Sequence, residues 1–91
     1  MESKQLYNKA IRQWGKPAQV TMMIEEMAEL TQALCKVERK VNGVEWADVI
    51  DEMVDVEIML EQMKEVFGVS SIHFGKVKKE KLERLEQLLS K

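Results

Sequence analysis

Apolar residues recur at intervals of three and four along most of this chain, and this spacing predicts an all-α protein. The chain has no alternating runs of β-branched residues, and such alternation is the usual sign of strands. The first helix is predicted over residues 3–14, where an apolar stripe continues until Gly15, Lys16 and Pro17 interrupt it. Proline favours the first turn of a helix, so a second helix should begin there.

Two longer helices follow, and each carries a seam of hydrophobic residues at heptad-like spacing. The seam of the second helix consists of Val20, Met23, Met27, Leu30, Leu34, Val37 and Val41. The seam of the third helix consists of Trp46, Val49, Met53, Val56, Leu60, Met63 and Phe67. Asn42 and Gly43 tolerate a left-handed turn between the two helices. So short a connection predicts that the helices pack antiparallel, seam against seam.

A fourth helix is predicted within residues 69–91, with Ser70 or Ser71 as its N-cap. Its inward-facing residues should be Phe74, Val77, Leu82, Leu85 and Leu89. Together the helices predict a compact four-helix-type bundle with a central antiparallel helix hairpin. Because 91 residues can close only a modest core, we expect self-association to complete the bundle.

Composition narrows the class of protein. No glycine-rich or serine-rich linker divides the chain, so residues 1–91 should form one domain. The 14 basic and 16 acidic residues argue against a partner that is a nucleic acid polymer, which usually requires a basic excess. No segment resembles a signal peptide or reaches the roughly 20 apolar residues that span a membrane. The single cysteine, Cys35, excludes an internal disulfide framework and is expected to be a buried thiol beside Leu34. These features predict a cytoplasmic protein.

The most informative chemical pattern is a seven-residue phrase that occurs twice. Residues 24–30 read Ile-Glu-Glu-Met-Ala-Glu-Leu, and residues 50–56 read Ile-Asp-Glu-Met-Val-Asp-Val. Residues three apart on a helix share a face, which pairs Glu26 with Glu29 and Glu52 with Asp55. Both pairs border their seams on the same flank, and both lie about equally far from the predicted turn. We therefore expect the four carboxylates to meet.

Carboxylates gathered at the edge of a core repel one another and lose hydration unless a cation neutralises them. Ligands that are all oxygen favour hard cations, so the pattern predicts Mg²⁺, with Mn²⁺ as a possible substitute. A ferritin-type di-iron site would need Glu-x-x-His, but the only histidine, His73, has Ser70 three residues before it. A calcium-binding loop is excluded because these acids have helical spacing. A structural alternative stays open, since acids beside a heptad seam often only determine partner choice.

The order Glu-Glu-x-x-Glu, 22 intervening residues and Glu-x-x-Asp resembles the pattern of the MazG-like members of the all-α nucleoside triphosphate pyrophosphohydrolases. The resemblance covers the two central helices and extends weakly to the flanking ones. It implies an Mg²⁺-dependent hydrolase that cuts nucleoside or deoxynucleoside triphosphates between the α and β phosphates. The products would be a nucleoside monophosphate and pyrophosphate.

The resemblance also implies roles for individual acids. The metal ligands would be Glu26, Glu29, Glu52 and Asp55. Glu25 would be an extra, catalytic acidic residue, which either activates the attacking water or helps to hold a further ion. Asp51 occupies the equivalent place in the second phrase, where the family pattern requires no acid.

Substrate contacts outside the metal site are implied as well. Basic residues of the last helix should reach the phosphates, and Lys81 and Arg84, which share a face, are the candidates. A solvated helix in which such residues pair with acids four positions away is the alternative. The first helix and the turn after it should line the nucleobase, with Trp14 stacking on it and Asn8 or Gln19 bonding its edge. Trp14 as an ordinary core residue is the alternative.

The resemblance further implies a homodimer or homotetramer whose small-molecule partner is a nucleoside triphosphate. Two functions without catalysis fit the same residues. The acidic hairpin could bind a partner or structural ions as an interaction module, or the heptads could form part of a regulatory helix pair. Nothing in the spacing selects a base or a sugar.

Overall fold

The computed structural model describes residues 1–40 and 46–91, which form four helices and, within those ranges, no strand. The helices are α1 (Ser3–Trp14), α2 (Lys16–Glu38), α3 (Trp46–Phe67) and α4 (Ser71–Leu89). The all-α prediction is confirmed. α1 has the predicted bounds, and α3 begins and ends at the first and last residues of its predicted seam. The predicted turn at Asn42 and Gly43 lies outside the described residues, as does Val41 of the predicted seam. No helix in the described part of the chain is both long enough and apolar enough to cross a membrane.

Glycine ends two of the helices because each end needs a backbone conformation that side chains disfavour. Gly15 has φ 88° between α1 and α2, and its N–H donates to the Ile11 carbonyl at 2.8 Å. Gly68, with φ 65°, follows α3, where the Val69 N–H donates to the Lys64 carbonyl at 2.8 Å. This six-to-one hydrogen bond, with a glycine at the left-handed position, is a Schellman motif.

The next helix begins at once after this stop. The Ser70 side chain accepts a hydrogen bond from the His73 N–H at 3.1 Å, so Ser70 is the N-cap of α4, one of the two residues predicted for that role.

The α2–α3 hairpin is the largest helix contact of the fold. Lys36, near the end of α2, and Asp48, near the start of α3, line the same groove, so the two helices run antiparallel as predicted. Buried residues follow one stripe on each helix: Gln19, Met23 and Ala33 on α2, and Val49, Met59, Gln62 and Val66 on α3. α1 packs against both helices, and the Lys4 ammonium lies 3.8 Å from a carboxylate oxygen of Glu65.

The buried stripes differ from the predicted seams. Met27, Leu34, Met53 and Leu60 were predicted in the interface but are between 43% and 55% exposed, and Trp46 is 81% exposed. Both helices carry apolar residues on more than one face, so spacing alone could not select the face that packs. The actual rotation keeps Met23 and Val49 buried and turns Glu26 and Glu52 into the interface.

α4 does not pack along any other helix of the protomer, and all of its residues are exposed. The predicted inward positions are therefore wrong within one chain: Phe74, Val77, Leu82, Leu85 and Leu89 all face outward. Contact with the rest of the fold occurs near the base of α4, where the Lys64 ammonium lies 4.0 Å from the centroid of the Phe74 ring.

Candidate metal centre

Glu26 of α2 and Glu52 of α3 lie in the middle of the hairpin interface. Glu26 is three residues after buried Met23, and Glu52 is three residues after buried Val49, so each carboxylate belongs to the packed face of its helix. Both glutamates are half-buried, whereas Asp55, one turn further along α3, is exposed. The doubled phrase thus supplies charged side chains to an interface made otherwise largely of apolar ones.

The structure brings three of the four predicted ligands into one cluster. Carboxylate oxygens of Glu26, Glu52 and Asp55, one from each residue, all lie within 4.8 Å of one another. Oε2 of Glu26 and Oε2 of Glu52 are buried and have no hydrogen-bond partner among residues 1–40 and 46–91. A buried carboxylate oxygen without a partner is costly, so this cluster should gain stability from either protons or a cation.

The pKa of Glu26 is raised above its ordinary value. Loss of hydration on burial is the largest cause, and the negative charges of Glu29, Asp55, Glu52 and Glu25 add to it. Burial and neighbouring carboxylates act in the same direction, because both disfavour the charged form.

The pKa of Glu52 is raised for the same leading reason, burial, followed by the charges of Glu29 and Asp55. The neighbouring Glu29 side chain and the charge of Asp51 raise it further. Glu29 is exposed and is not one of the three clustered residues, but it lines the same groove as Glu52. The negative charges of Glu29 and Asp55 therefore act on both half-buried glutamates.

The donor set suits a hard divalent cation. Every side chain in the cluster offers carboxylate oxygen, the ligand type preferred by Mg²⁺ and Mn²⁺. A cation here would satisfy the two partnerless oxygens and reverse the repulsion that raises the glutamate pKa values. The residues present thus fit the predicted ion.

Glu25 and Asp51 are exposed beside the cluster. Glu25 is near enough for its charge to raise the pKa of Glu26. Asp51 lines a groove of about 480 Å³ together with Glu29, Gln32, Ala33, Lys36, Asp48 and Glu52. Lys36 is the basic residue among these lining side chains, and sequence reasoning did not select it. Lys36 follows Glu29 by seven residues and so lies on the same helix face, and this spacing could have identified it as a basic residue near the acids.

The predicted base contacts separate into different environments. Trp14 is 62% exposed, so the alternative interpretation, in which Trp14 is an ordinary core residue, is wrong. Gln19, in contrast, is only 4% exposed. Asn8 is half-buried, and its side-chain amide donates to the Lys4 carbonyl at 3.0 Å. Trp14 lines a cavity of about 490 Å³ between α1 and α3, which Tyr7, Ile58 and Gln62 also line.

Gln62 is a residue that sequence reasoning missed. It is 7% exposed, and its Oε1 has no hydrogen-bond partner. The residue lies seven positions after Asp55 on α3, which is two turns and about 10 Å along the helix. The signal that could have identified Gln62 is a polar residue on the buried stripe of α3. The predicted seam of α3 was a different stripe, so the signal was missed.

Two further predictions concern residues away from the cluster. Lys81 and Arg84 are exposed on α4, and the protomer does not bring them to the carboxylates, because α4 packs along neither helix of the hairpin. Cys35 is exposed, so the prediction of a buried thiol is wrong. The reason is again the rotation of α2, which buries Ala33 and turns Leu34 and Cys35 outward.

Comparisons of this chain with protein-family models, with curated proteins and with solved structures found no match.

Proposed function

We propose that this protein hydrolyses nucleoside or deoxynucleoside triphosphates at the α–β phosphate bond and is MazG-like. The observation that supports the proposal is the cluster itself: three carboxylate oxygens from the doubled phrase converge within 4.8 Å, and two buried oxygens of the same residues have no hydrogen-bond partner. A cluster that only shaped the hairpin would gain nothing from leaving buried charges unpaired.

Glu26, Glu52 and Asp55 would hold Mg²⁺, and Glu29 would complete the set from beside Glu52. The bound ion would neutralise charge on the phosphate oxygens and orient the attacking water. Loading would also lower the glutamate pKa values, since a nearby cation favours the charged form of a carboxyl. The same side chains that destabilise the empty hairpin would then be fully ionised ligands.

Glu25 would act on the water. Its side chain is exposed beside the cluster, where water reaches it, and a carboxylate can accept a proton from a water molecule that it contacts. The oxygen of the water forms a bond to one of the two phosphorus atoms that flank the bridging α–β oxygen. The bond from that phosphorus to the bridging oxygen breaks, and the proton of the water passes to Glu25. Nucleoside monophosphate and pyrophosphate leave.

Phosphate binding is assigned first to Lys36. It lines the groove that contains Glu29 and Glu52, so its ammonium is the basic group beside the acids within one protomer. Lys81 and Arg84 could contribute only in an assembly in which α4 of one copy approaches the acids of another.

The cavity between α1 and α3 would receive the nucleobase. Trp14 offers an exposed ring for stacking, and Gln62 offers an Oε1 that has no other partner. Asp55 and Gln62 lie about 10 Å apart along α3, which leaves room for a sugar between the phosphates and the base. Gln19 and Asn8 have buried or locally bonded side chains, so we rank them below Gln62 as base contacts.

We also propose that the active form is a homodimer or homotetramer and that the protein works in the cytoplasm. The exposed stripe on α4 supports assembly, and an exposed thiol fits a reducing compartment.

The test is a panel of ribo-, deoxyribo- and modified nucleoside triphosphates, incubated with the protein and Mg²⁺ or with a chelator. We expect metal-dependent release of pyrophosphate and of the matching nucleoside monophosphate. Release of inorganic phosphate and a diphosphate would contradict the proposed bond. Metal binding without turnover of any member would favour the non-catalytic alternative, an interaction module whose acidic hairpin holds a divalent ion.

A further inference from the structure

The cavity between α1 and α3 combines a mostly apolar wall with a buried acceptor. Trp14, Tyr7 and Ile58 contribute two aromatic rings and an aliphatic side chain, and Gln62 is the buried residue among its described lining residues. Oε1 of Gln62 is buried and has no hydrogen-bond donor within residues 1–40 and 46–91. A buried acceptor without a donor costs free energy, and a ligand that brings an N–H to it removes that cost.

The unsatisfied end of this amide is its carbonyl oxygen. In the described part of the chain, Nε2 of Gln62 is not one of the buried atoms that lack a partner. An amide carbonyl oxygen only accepts hydrogen bonds. The group that Gln62 offers to a ligand therefore distinguishes a donor from an acceptor.

The other polar residues that line the cavity impose little preference of this kind. Ser3, Lys9 and Gln13 are exposed, so their polar groups remain hydrated at the rim. Tyr7 is half-buried, and its hydroxyl can both donate and accept. Selection between donor and acceptor groups on a ligand thus depends mainly on Gln62.

The direction in which a nucleotide enters the cavity decides which part of its base meets Gln62. This step rests on the proposed function, which places the phosphates at the carboxylate cluster. Gln62 lies seven residues, or about 10 Å, beyond Asp55 along α3. The sugar would therefore face Asp55, and the edge of the base opposite the sugar would face Gln62. That edge carries the 4-substituent of a pyrimidine or the 6-substituent of a purine.

Nucleobases fall into two chemical classes at this substituent. Cytosine and adenine carry an amino group, which donates, whereas uracil, thymine, guanine and hypoxanthine carry a carbonyl oxygen, which accepts. The amino group would satisfy Oε1 of Gln62. A carbonyl would instead bring two acceptors together and leave both buried without a donor. The ring N–H of a carbonyl base lies to one side of this substituent, so it reaches Oε1 only if the base tilts away from this approach.

We propose that Gln62 makes this protein selective for nucleotides whose base carries an amino group opposite the sugar, which are those of cytosine and adenine. The selectivity depends on the substituent, so it applies to a pyrimidine and to a purine alike. The cavity, at about 490 Å³, lies within the usual size range of small-molecule sites.

The test compares two pairs of ligands, cytidine with uridine and adenosine with inosine. Each is used as its α,β-methylene triphosphate, which cannot be hydrolysed at the α–β position. Calorimetric titration with Mg²⁺ present gives the affinities. We expect the amino member of each pair to bind about 10-fold or more tightly than the carbonyl member.

Variants connect this preference to one side chain. Gln62→Met replaces the amide with an apolar group of similar length, so the two members of each pair should bind it equally. Its metal-free Tm should be no lower than that of the wild-type chain, because an unpaired buried acceptor is removed. Gln62→Leu takes its place if the methionine variant does not fold. Gln13→Met is the matched control, since it removes an exposed amide from the same cavity and should keep the preference.

Turnover of the ordinary triphosphates separates this inference from the proposed function. If none of them is hydrolysed, the proposed function fails, while the binding ratios still decide the selectivity. Equal affinities within both pairs, or a preference that Gln62→Met retains, would overturn the selectivity even if hydrolysis is metal-dependent. Absence of binding by all four analogues would overturn it as well.

Discussion

The hairpin and α4 differ in which side chains they bury: the hairpin partly buries acidic side chains, whereas α4 exposes apolar ones. In the hairpin, Glu26 and Glu52 occupy the packed face, and two of their oxygens are buried without a partner. On α4, Leu82 and Leu85 are 54% and 50% exposed. Sorting by hydrophobicity alone would give the reverse arrangement.

Under the proposals above, this difference means that a single protomer lacks two distinct things. The carboxylates of the hairpin lack a compensating positive charge, and a divalent cation would supply that charge. The apolar stripe of α4 lacks an apolar surface to pack against, and a second copy of the chain would supply that surface. The two deficits can be removed independently, and the predictions below separate them.

Activity should depend on the hairpin acids most strongly of all. Removing one carboxylate charge with Glu52→Gln or Asp55→Asn should reduce pyrophosphate release by about 100-fold or more, because a metal ligand is lost. Glu57→Gln is the matched control, since Glu57 is an exposed acid on the same helix and outside the cluster. Steady-state rates at saturating Mg²⁺ provide the measurement. A control variant as impaired as Glu52→Gln would remove the cluster from the mechanism.

Apolar truncations should distinguish the two regions by their dependence on concentration. Met59 is 5% exposed in the hairpin, and Met59→Ala should lower the free energy of unfolding by about 2–5 kcal/mol. Leu85→Ala should cost less in dilute solution and progressively more as protein concentration rises, because assembly stabilises only the associated state. Urea unfolding at several concentrations would show this. A concentration-independent loss for Leu85→Ala would mean that α4 packs within its own chain.

Acidity should stabilise the metal-free hairpin. The pKa values of Glu26 and Glu52 are raised in the folded state above their ordinary 4.5, so the folded chain retains protons that the unfolded chain releases. This contribution is fully present below the ordinary value and is lost as pH rises through the folded pKa values. With chelator present, the Tm should therefore increase as pH is lowered from about 7 to about 5.

Glu52→Gln sharpens the same prediction. The variant should have a higher metal-free Tm at neutral pH and a shallower pH dependence than the wild-type chain, because one repelling charge is absent. Thermal unfolding followed by circular dichroism gives both quantities. If the Tm of Glu52→Gln depends on pH as steeply as the Tm of the wild-type chain, the carboxyl of Glu52 does not have the raised pKa that its surroundings indicate.

The smallest effect should come from the junction between the two regions. Gly68 has φ 65°, so Gly68→Ala should cost about 1–2 kcal/mol of unfolding free energy through backbone strain. A Cβ there meets no other atom within 4 Å, so strain in the backbone is the reason for the loss. Gly75→Ala, in the helical interior of α4 and also without a close contact, should instead be neutral or stabilising. Equal effects of the two substitutions would contradict this account.

Local sequence signals predicted the helices well, together with the meeting of three of the four acids. Gly15, Pro17 and Gly68 end or begin helices for reasons confined to a few residues, and the doubled phrase carries its spacing to both sides of the hairpin. The packed face was harder to predict, because Met27 and Leu34 are as apolar as the residues that are buried. Choosing that face requires the fit of one helix against another, as does the identification of Gln62.

The position of α4 could not be predicted from one chain for a different physical reason. Its apolar stripe, which includes Leu82 and Leu85, favours burial, but an amphipathic helix does not encode whether the surface that buries it belongs to its own chain or to another.

The most direct test of the central claim is calorimetric titration of Mn²⁺ and Mg²⁺ into the metal-free protein, with Glu52→Gln and Glu57→Gln measured alongside. The account predicts saturable binding to the wild-type chain and to Glu57→Gln, with binding greatly weakened in Glu52→Gln. Absence of binding to the wild-type chain, or equal binding to all three proteins, would contradict a metal centre at Glu26, Glu52 and Asp55.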